Sequence, residues 1–381
     1  MKLLWNGKTV KTDDAQTITS LIKGCYGKNK KGVISLGAEE ALYLIDIRGA
    51  ECNNLGGKKL KFNELASKFK KKKLLARYLT YKDWRDRGLF ITEETDANKK
   101  YKKNIKEKYG RGKWKLEIPK INAEFYPEDL MCIIDNAKIG EELYKQYWIG
   151  QMGTYKSPHR GSISKLDIFE TLFLINAKKL NITNVDENEI FEIAKKRIGF
   201  FEDMNNVYLE WRNAGYIVKT GFKFGTNFRI YLPGAKPEKG ENWVHSKHVL
   251  HAFPRKSSLI ISEWARAIRV AHSVKKTFIL AIPGEGEIKK GKVDFALYHR
   301  KRGGVYSPKD GEPSFLMLSL SEDEYLSGEE LASSLKTASE RGLNLLIAIV
   351  DRESSVTYYL VKQIELPGSK YEYYEIEWMQ P

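Results

Sequence analysis

The sequence predicts an α+β protein built from related units rather than from one core. At 381 residues the chain exceeds what a single ordinary core accommodates, so two or three compact units are expected. A helix-then-strand pattern occurs twice: Tyr-Lys-Asp-Trp-Arg-Asp-Arg-Gly-Leu-Phe-Ile at 81–91 and Tyr-Leu-Glu-Trp-Arg-Asn-Ala-Gly-Tyr-Ile-Val at 208–218, offset by 127 (208 − 81). A second pattern, an amphipathic helix running into a buried strand, links Glu263–Ile282 to Glu330–Ile349 at an offset of 67 (330 − 263).

Each element has a local reason. Glu40-Ala-Leu-Tyr-Leu-Ile45 matches Glu170-Thr-Leu-Phe-Leu-Ile175 at an offset of 130 (170 − 40), and its apolar spacing of three and four predicts a helix in each copy. A charged connection leads to a second helix, which Gly88 or Gly215 stops, and the apolar residue that follows opens a strand. After Gly215 the alternation and glycines from Tyr216 to Tyr231 predict strands joined by a tight turn. After Ile91 comes a polar, lysine-rich run instead, which predicts that the N-terminal copy has lost its second half. The expected division is a truncated, non-catalytic repeat (1–95), a linker with a possible remnant strand (96–130), a subdomain leading into a catalytic unit (131–215), the catalytic subdomain (216–302) and a structural C-terminal unit (303–381).

Charge narrows the partner. The balance of 65 Lys+Arg against 49 Asp+Glu leaves +16, which favours a polyanion through phosphate contact and counterion release, with nucleic acid foremost. Cys25, Cys52 and Cys132 lack the spacing of a zinc ribbon or a disulfide framework, which fits a reducing cytoplasm. No stretch approaches the roughly 20 apolar residues that cross a bilayer, so neither a membrane span nor export is expected.

Three ordered segments carry chemistry: Gly225-Thr-Asn-Phe-Arg-Ile-Tyr231, His245-Ser-Lys-His248, and Ala271-His-Ser-Val-Lys-Lys276 closing a helix. Together with the repeated helical half, they resemble the archaeal tRNA-splicing endonucleases, in the three-unit single-chain form that homodimerises (epsilon-two type). The resemblance implies helical N-terminal subdomains and mixed-sheet catalytic-type subdomains, each with a packed helix. It implies Tyr231 as the base that takes the 2′-hydroxyl proton, His245 as the acid that protonates the departing 5′ oxygen, and Lys276 as the cation facing the phosphorus oxygens. The side chains suit in-line attack by a neighbouring 2′-oxygen, which needs a base, an acid and a positive charge and no metal or cofactor. His272 reads as structural.

The family also grips an extruded base between cationic or aromatic side chains; Arg269, seven residues before Lys276 and read as two helical turns earlier, is the candidate, with Arg300 second. Lys156 lies in a basic loop, Lys156–Lys165, that suits the backbone of precursor tRNA. The acidic turn Val350-Asp-Arg-Glu-Ser-Ser-Val356 corresponds to the family's docking loop, so Asp351 and Glu353 are expected to join two chains. At the 67-residue offset Leu343 replaces Lys276 and Glu312 replaces His245, which predicts one active site per chain. Two alternatives stay open: a non-catalytic RNA-binding subunit, and a metal-dependent nuclease using carboxylates such as Asp294 and Glu287.

Overall fold

The computed structural model describes residues 1–94, 100–101, 106–154, 157, 160–237, 245–301 and 303–381. A long mixed sheet forms its spine. In chain order the main strands are β1 (Phe90–Glu93), β2 (Ile217–Thr220), β3 (Phe228–Tyr231), β4 (His248–Ala252), β5 (Thr277–Ile282), β6 (Phe295–Tyr298), β7 (Phe315–Ser321), β8 (Leu345–Val350), β9 (Val356–Glu365) and β10 (Glu372–Met379). They lie side by side as β2-β3-β4-β5-β10-β9-β8-β7-β6-β1, and the short strand Glu107–Lys108 runs beside β9.

This order is a palindrome. Read from either edge, two antiparallel pairings lead to one parallel pairing, β4 with β5 or β7 with β8, and the centre is antiparallel again. The register keeps the 67-residue offset: Phe228 faces Leu250 as Phe295 faces Met317, and Val249 faces Phe278 as Leu316 faces Leu345. At the centre Val361 of β9 faces Ile376 of β10, two residues that hold equivalent places because they pair with Leu345 and Phe278. In a separate ribbon, Ser258–Ile260 with Tyr325–Ser327, Leu259 faces its own counterpart Leu326. Self-pairing of this kind marks a two-fold axis, here internal to the chain.

Four helices of 13 residues cover the sheet: α1 (Leu74–Asp86), α2 (Phe201–Asn213), α3 (Ile261–Ser273) and α4 (Gly328–Glu340). On one face α2 buries Tyr208 and Trp211 against Val218, Phe228, Leu250 and Ile279, and α1 buries Tyr81 and Trp84 against Phe295, Leu346 and Tyr358. On the other face α3 and α4 share a core that spans the axis, with Ile268, Phe278, Leu335, Leu345 and Tyr374. Helix α3 buries Ile261, Trp264, Ala265, Ile268 and Ala271, the three- and four-residue spacing of an amphipathic helix, and the strands sandwiched between the layers are apolar on both faces.

Several expectations are revised. The N-terminal copy has not lost its second half, because β1 pairs with β6 and α1 lies on β7 and β8, so residues 295–365 complete it. Strand β6, placed by sequence at the end of the catalytic unit, therefore sits in the other half. The run 283–293 is the crossover between halves, and β5 takes its hairpin partner, β10, from the far end of the chain. Three tandem units thus become two interleaved ones. The expected linker is partly a packed strap: Tyr109, Trp114 and Leu116 lie on the α2 core and Ile118 is buried in it. Gly112 crosses Gly215 so closely that a Cβ on Gly215, at φ +93°, would meet the Gly112 Cα at 2.6 Å. The N-terminal subdomains have the predicted helices, Ala38–Asp46 and Ile168–Asn176, and each adds a small sheet, one of six strands and one of four.

Candidate active site

Backbone register gathers the three segments. Ile230, His248 and Thr277 face one another across β3, β4 and β5. Because β3 runs against β4 while β5 runs with it, Tyr231 ends its strand at the edge where the other two begin. The Lys247 amide donates to the Ile230 carbonyl at 3.1 Å, and the Thr277 amide donates to the Lys247 carbonyl at 3.2 Å. Tyr231, the run His245–Lys247 and Lys276 thus meet on one edge. The position of Lys276 is set by a sharp turn: α3 stops at Ser273, Lys275 takes a left-handed φ of +55°, and β5 begins directly after Lys276.

Strand alternation also puts Tyr231, Lys247 and Lys276 on one face. Phe228 and Ile230 point into the α2 core, so Arg229 and Tyr231 point to the α3 side. Ile279 and Ala281 point to α2 while Phe278 and Leu280 point to α3, and Lys276 continues the latter set. In β4 Leu250 and Ala252 face α2 and Val249 faces α3, which puts Lys247 beside Lys276 and His248 on the opposite face. His248 stands 5.5 Å from the Tyr109 ring, and burial, with the charges of Lys247 and Lys276, pushes its pKa down to about 3. His251 is half-buried, and loss of hydration around its ring pushes its pKa down to about 4. Neither can shuttle protons near neutrality. The exposed histidine of the trio is His245.

Tyr231 is only 5% exposed and belongs to an apolar cluster with Tyr144, Trp148, Ile217 and Ala235, its ring 4.4 Å from that of Trp148. The half-buried Lys276 donates to the Ser246 carbonyl at 2.6 Å and lies 5.2 Å above the Phe224 ring. Burial and then the nearby Arg229 charge hold its pKa below the usual lysine range. Arg229 lies 5.6 Å from the Tyr231 ring centroid. The edge therefore offers a phenol, an imidazole and clustered cations, a set suited to proton transfer at a group that gains negative charge.

The remaining candidates are scattered. Arg269 is exposed on α3 and lies beside Tyr359 of β9, two strands beyond β5 and on the side away from β3. It does not share a helical face with Lys276, because Lys276 lies past the helix end. Arg300 follows β6, which is seven strands from β3, and its guanidinium donates to the Arg87 carbonyl at 3.0 Å. Lys156 lies outside the described residues. The Asp351 carboxylate accepts from the Glu353 amide at 2.9 Å and the Ser355 amide at 2.8 Å and so shapes the acidic turn, while Glu353 is exposed. His272 contacts the Ile376 carbonyl through Nε2 at 3.3 Å, a structural contact. The carboxylates named for metal chemistry are apart: Asp294 pairs with Arg77 of α1 on one face, and Glu287 lies 3.8 Å from Lys336 of α4 on the other.

Sequence reasoning overlooked Arg229, Lys247 and Trp148. The first two stand inside the motifs, and their signal was available in the repeat: at the 67-residue offset Ala296 replaces Arg229 and Ser314 replaces Lys247, while Tyr298 preserves Tyr231.

Comparison with known proteins defines the class. Residues 201–290 match the tRNA intron endonuclease catalytic C-terminal domain, and residues 2–66 match the tRNA intron endonuclease N-terminal domain. The chain therefore carries both kinds of domain, the catalytic one included, and is an enzyme. Among individual proteins, it is 25% identical over 319 residues to a tRNA-splicing endonuclease of Methanococcoides burtonii, covering 68% of this chain and 89% of that protein. A tRNA-splicing endonuclease of Pyrobaculum islandicum is 28% identical over 163 residues, 40% of this chain and 86% of that one. Another, from Methanosarcina barkeri, is 30% identical over 186 residues, 48% of this chain and 51% of that protein.

Proposed function

We propose that this enzyme is a tRNA-splicing endonuclease that cuts precursor tRNA at its intron–exon junctions, in a bulge-helix-bulge, without a metal. The supporting observation is the convergence of Tyr231, the His245 run and Lys276 on one edge of β3, β4 and β5, with Tyr231 and Lys276 on one face. Tyr231 takes the proton from the 2′-hydroxyl, and the oxygen attacks the adjacent phosphorus. His245 gives a proton to the departing 5′ oxygen as the P–O bond breaks, and Lys276 faces the charge on the non-bridging oxygens. The products are a 2′,3′-cyclic phosphate and a 5′-hydroxyl. The lowered proton affinity of Lys276 leaves its ammonium poorly compensated by protein, which favours an incoming phosphate.

The test is cleavage of precursor tRNAs with introns at several positions, in EDTA, with product ends identified. Loss of cleavage on chelation, or undiminished cleavage by His245→Ala, would overturn the mechanism. Two chains pair in this reading, with the turn holding Asp351 and Glu353 docking in trans so that each dimer carries two active sites. Glu353→Lys is expected to shift sedimentation from dimer to monomer, and an unchanged coefficient rejects that docking.

A further inference from the structure

The active-site face holds a second cation that nothing yet uses. Arg229 sits two residues before Tyr231 on β3, so both side chains rise from the same face, the face that Lys276 also occupies. Three measures tie it to the reacting groups. Its guanidinium is 5.6 Å from the Tyr231 ring centroid, its charge reaches Lys276, and its Nε is buried without a hydrogen-bond partner among the described residues. No described carboxylate pairs with it. Lys276, its neighbour, is likewise held by a carbonyl rather than by an acid. Two partly desolvated cations side by side repel each other, which is costly in a resting protein unless a ligand of opposite charge arrives.

The chain supplies its own control. The other half of the molecule repeats this edge strand for strand and register for register. There the phenol persists as Tyr298, but Ala296 stands for Arg229 and Leu343 for Lys276. An arginine kept only to pack the β3 edge would be as useful in one half as in the other. The two cations vanish together, in the half where Glu312 also stands for His245.

We propose that Arg229 is a fourth catalytic residue, whose guanidinium contacts a non-bridging oxygen of the scissile phosphate beside Lys276 and holds it as charge builds during attack by the 2′-oxygen. This rests on the cleavage reading above. No proton or electron passes through the arginine, which stays protonated throughout. Lys276 and Arg229 share the oxygens, the first as a point charge and the second as a planar fork that fixes the phosphate's orientation to the phenol.

The experiment compares the native chain with Arg229→Ala and Arg229→Lys in single-turnover cleavage of a precursor tRNA. Binding is measured with the same RNA carrying a 2′-deoxy nucleotide at each junction, which binds but cannot be cut. Arg229→Ala is expected to slow cleavage about 10²- to 10³-fold while binding of the uncleavable RNA changes less than about threefold, and Arg229→Lys to recover part of the rate. Thermal melting of both variants checks the fold. A rate within about threefold of native, or a fall in binding that accounts for the whole loss, overturns the assignment. A native chain that cuts no precursor tRNA overturns the cleavage reading and this assignment with it, whereas a native chain that cuts beside an equally active Arg229→Ala overturns only the latter.

Discussion

Substituting Lys276 with leucine copies into the half that matches the catalytic domain the residue that its counterpart carries at 343. Two effects separate. The ammonium is half-buried, gives one hydrogen bond to the Ser246 carbonyl, and has its pKa depressed by burial and by Arg229. A lysine whose folded pKa lies below its unfolded value weakens the fold while both states are charged, and the penalty is relieved as pH rises from the folded pKa toward the unfolded one. Leucine removes that penalty and loses one hydrogen bond of about 1 kcal/mol, so the melting temperature should move by no more than a few degrees. Catalysis has no such compensation. Losing one preorganised charge opposite a developing oxyanion costs on the order of 3–4 kcal/mol, a rate fall of about 10²- to 10³-fold. Single-turnover cleavage read on a gel, beside circular dichroism melting, measures both. A Lys276→Leu chain that cuts within tenfold of native, or that unfolds, refutes the assignment of this residue to chemistry. Leu343→Lys should give no new cleavage, since Ala296 and Glu312 still stand where Arg229 and His245 would.

Acid should destabilise the fold through His248. His248 is neutral in the fold, its pKa pushed down to about 3, so the unfolded chain takes up its proton first; the stability it contributes is complete above about pH 6.5 and lost as pH falls toward 3. Melting between pH 7 and 4 should fall steeply in the native chain and more gently in His248→Phe; equal slopes reject the account. Gly215→Ala forces a side chain into a left-handed φ, costing about 1–2 kcal/mol, and into the Gly112 backbone besides. Gly88→Ala meets the same φ problem in open space, so the larger loss of melting temperature should belong to Gly215. A chain nicked between residues 95 and 99 should run as one species in gel filtration, since β1 stays paired with β6; release of the 1–95 fragment rejects the interleaved arrangement.

Periodicity and repeats revealed much of this molecule, because they are local. The helices around Leu42, Leu172, Trp84 and Trp211 follow apolar spacing, and the order of three motifs singled out Tyr231, His245 and Lys276 as candidates, whose segments the sheet register brings to one edge. What stayed hidden is long-range pairing. Nothing in Phe90–Glu93 says that its partner starts at Phe295, or in Thr277–Ile282 that its partner starts at Glu372. The strap was misread because Tyr109, Trp114 and Leu116 are thinly spread among lysines, so neither period appears. Arg269 was misplaced because a helical spacing was carried past Ser273, across a left-handed Lys275. Arg229 passed unnoticed because an arginine in a strand is unremarkable until its neighbours on the same face are known.

The palindromic sheet also has a kinetic side. The Glu94 amide donates to the Asp294 carbonyl at 3.1 Å, so the chain leaves one half and returns to it at nearly the same point, with the catalytic half inserted between. Residues Phe90 and Tyr298, 208 positions apart (298 − 90), cannot meet until that insert has collapsed and shortened the effective loop. The insert in turn stays open at β5 until β10 arrives, and β10 is also the strand that β9 of the other half pairs with. Each half therefore waits on the other, and the final strand closes both. Such a chain is expected to fold slowly and unfold in one cooperative step, so that each half acts as a permanent chaperone for the other.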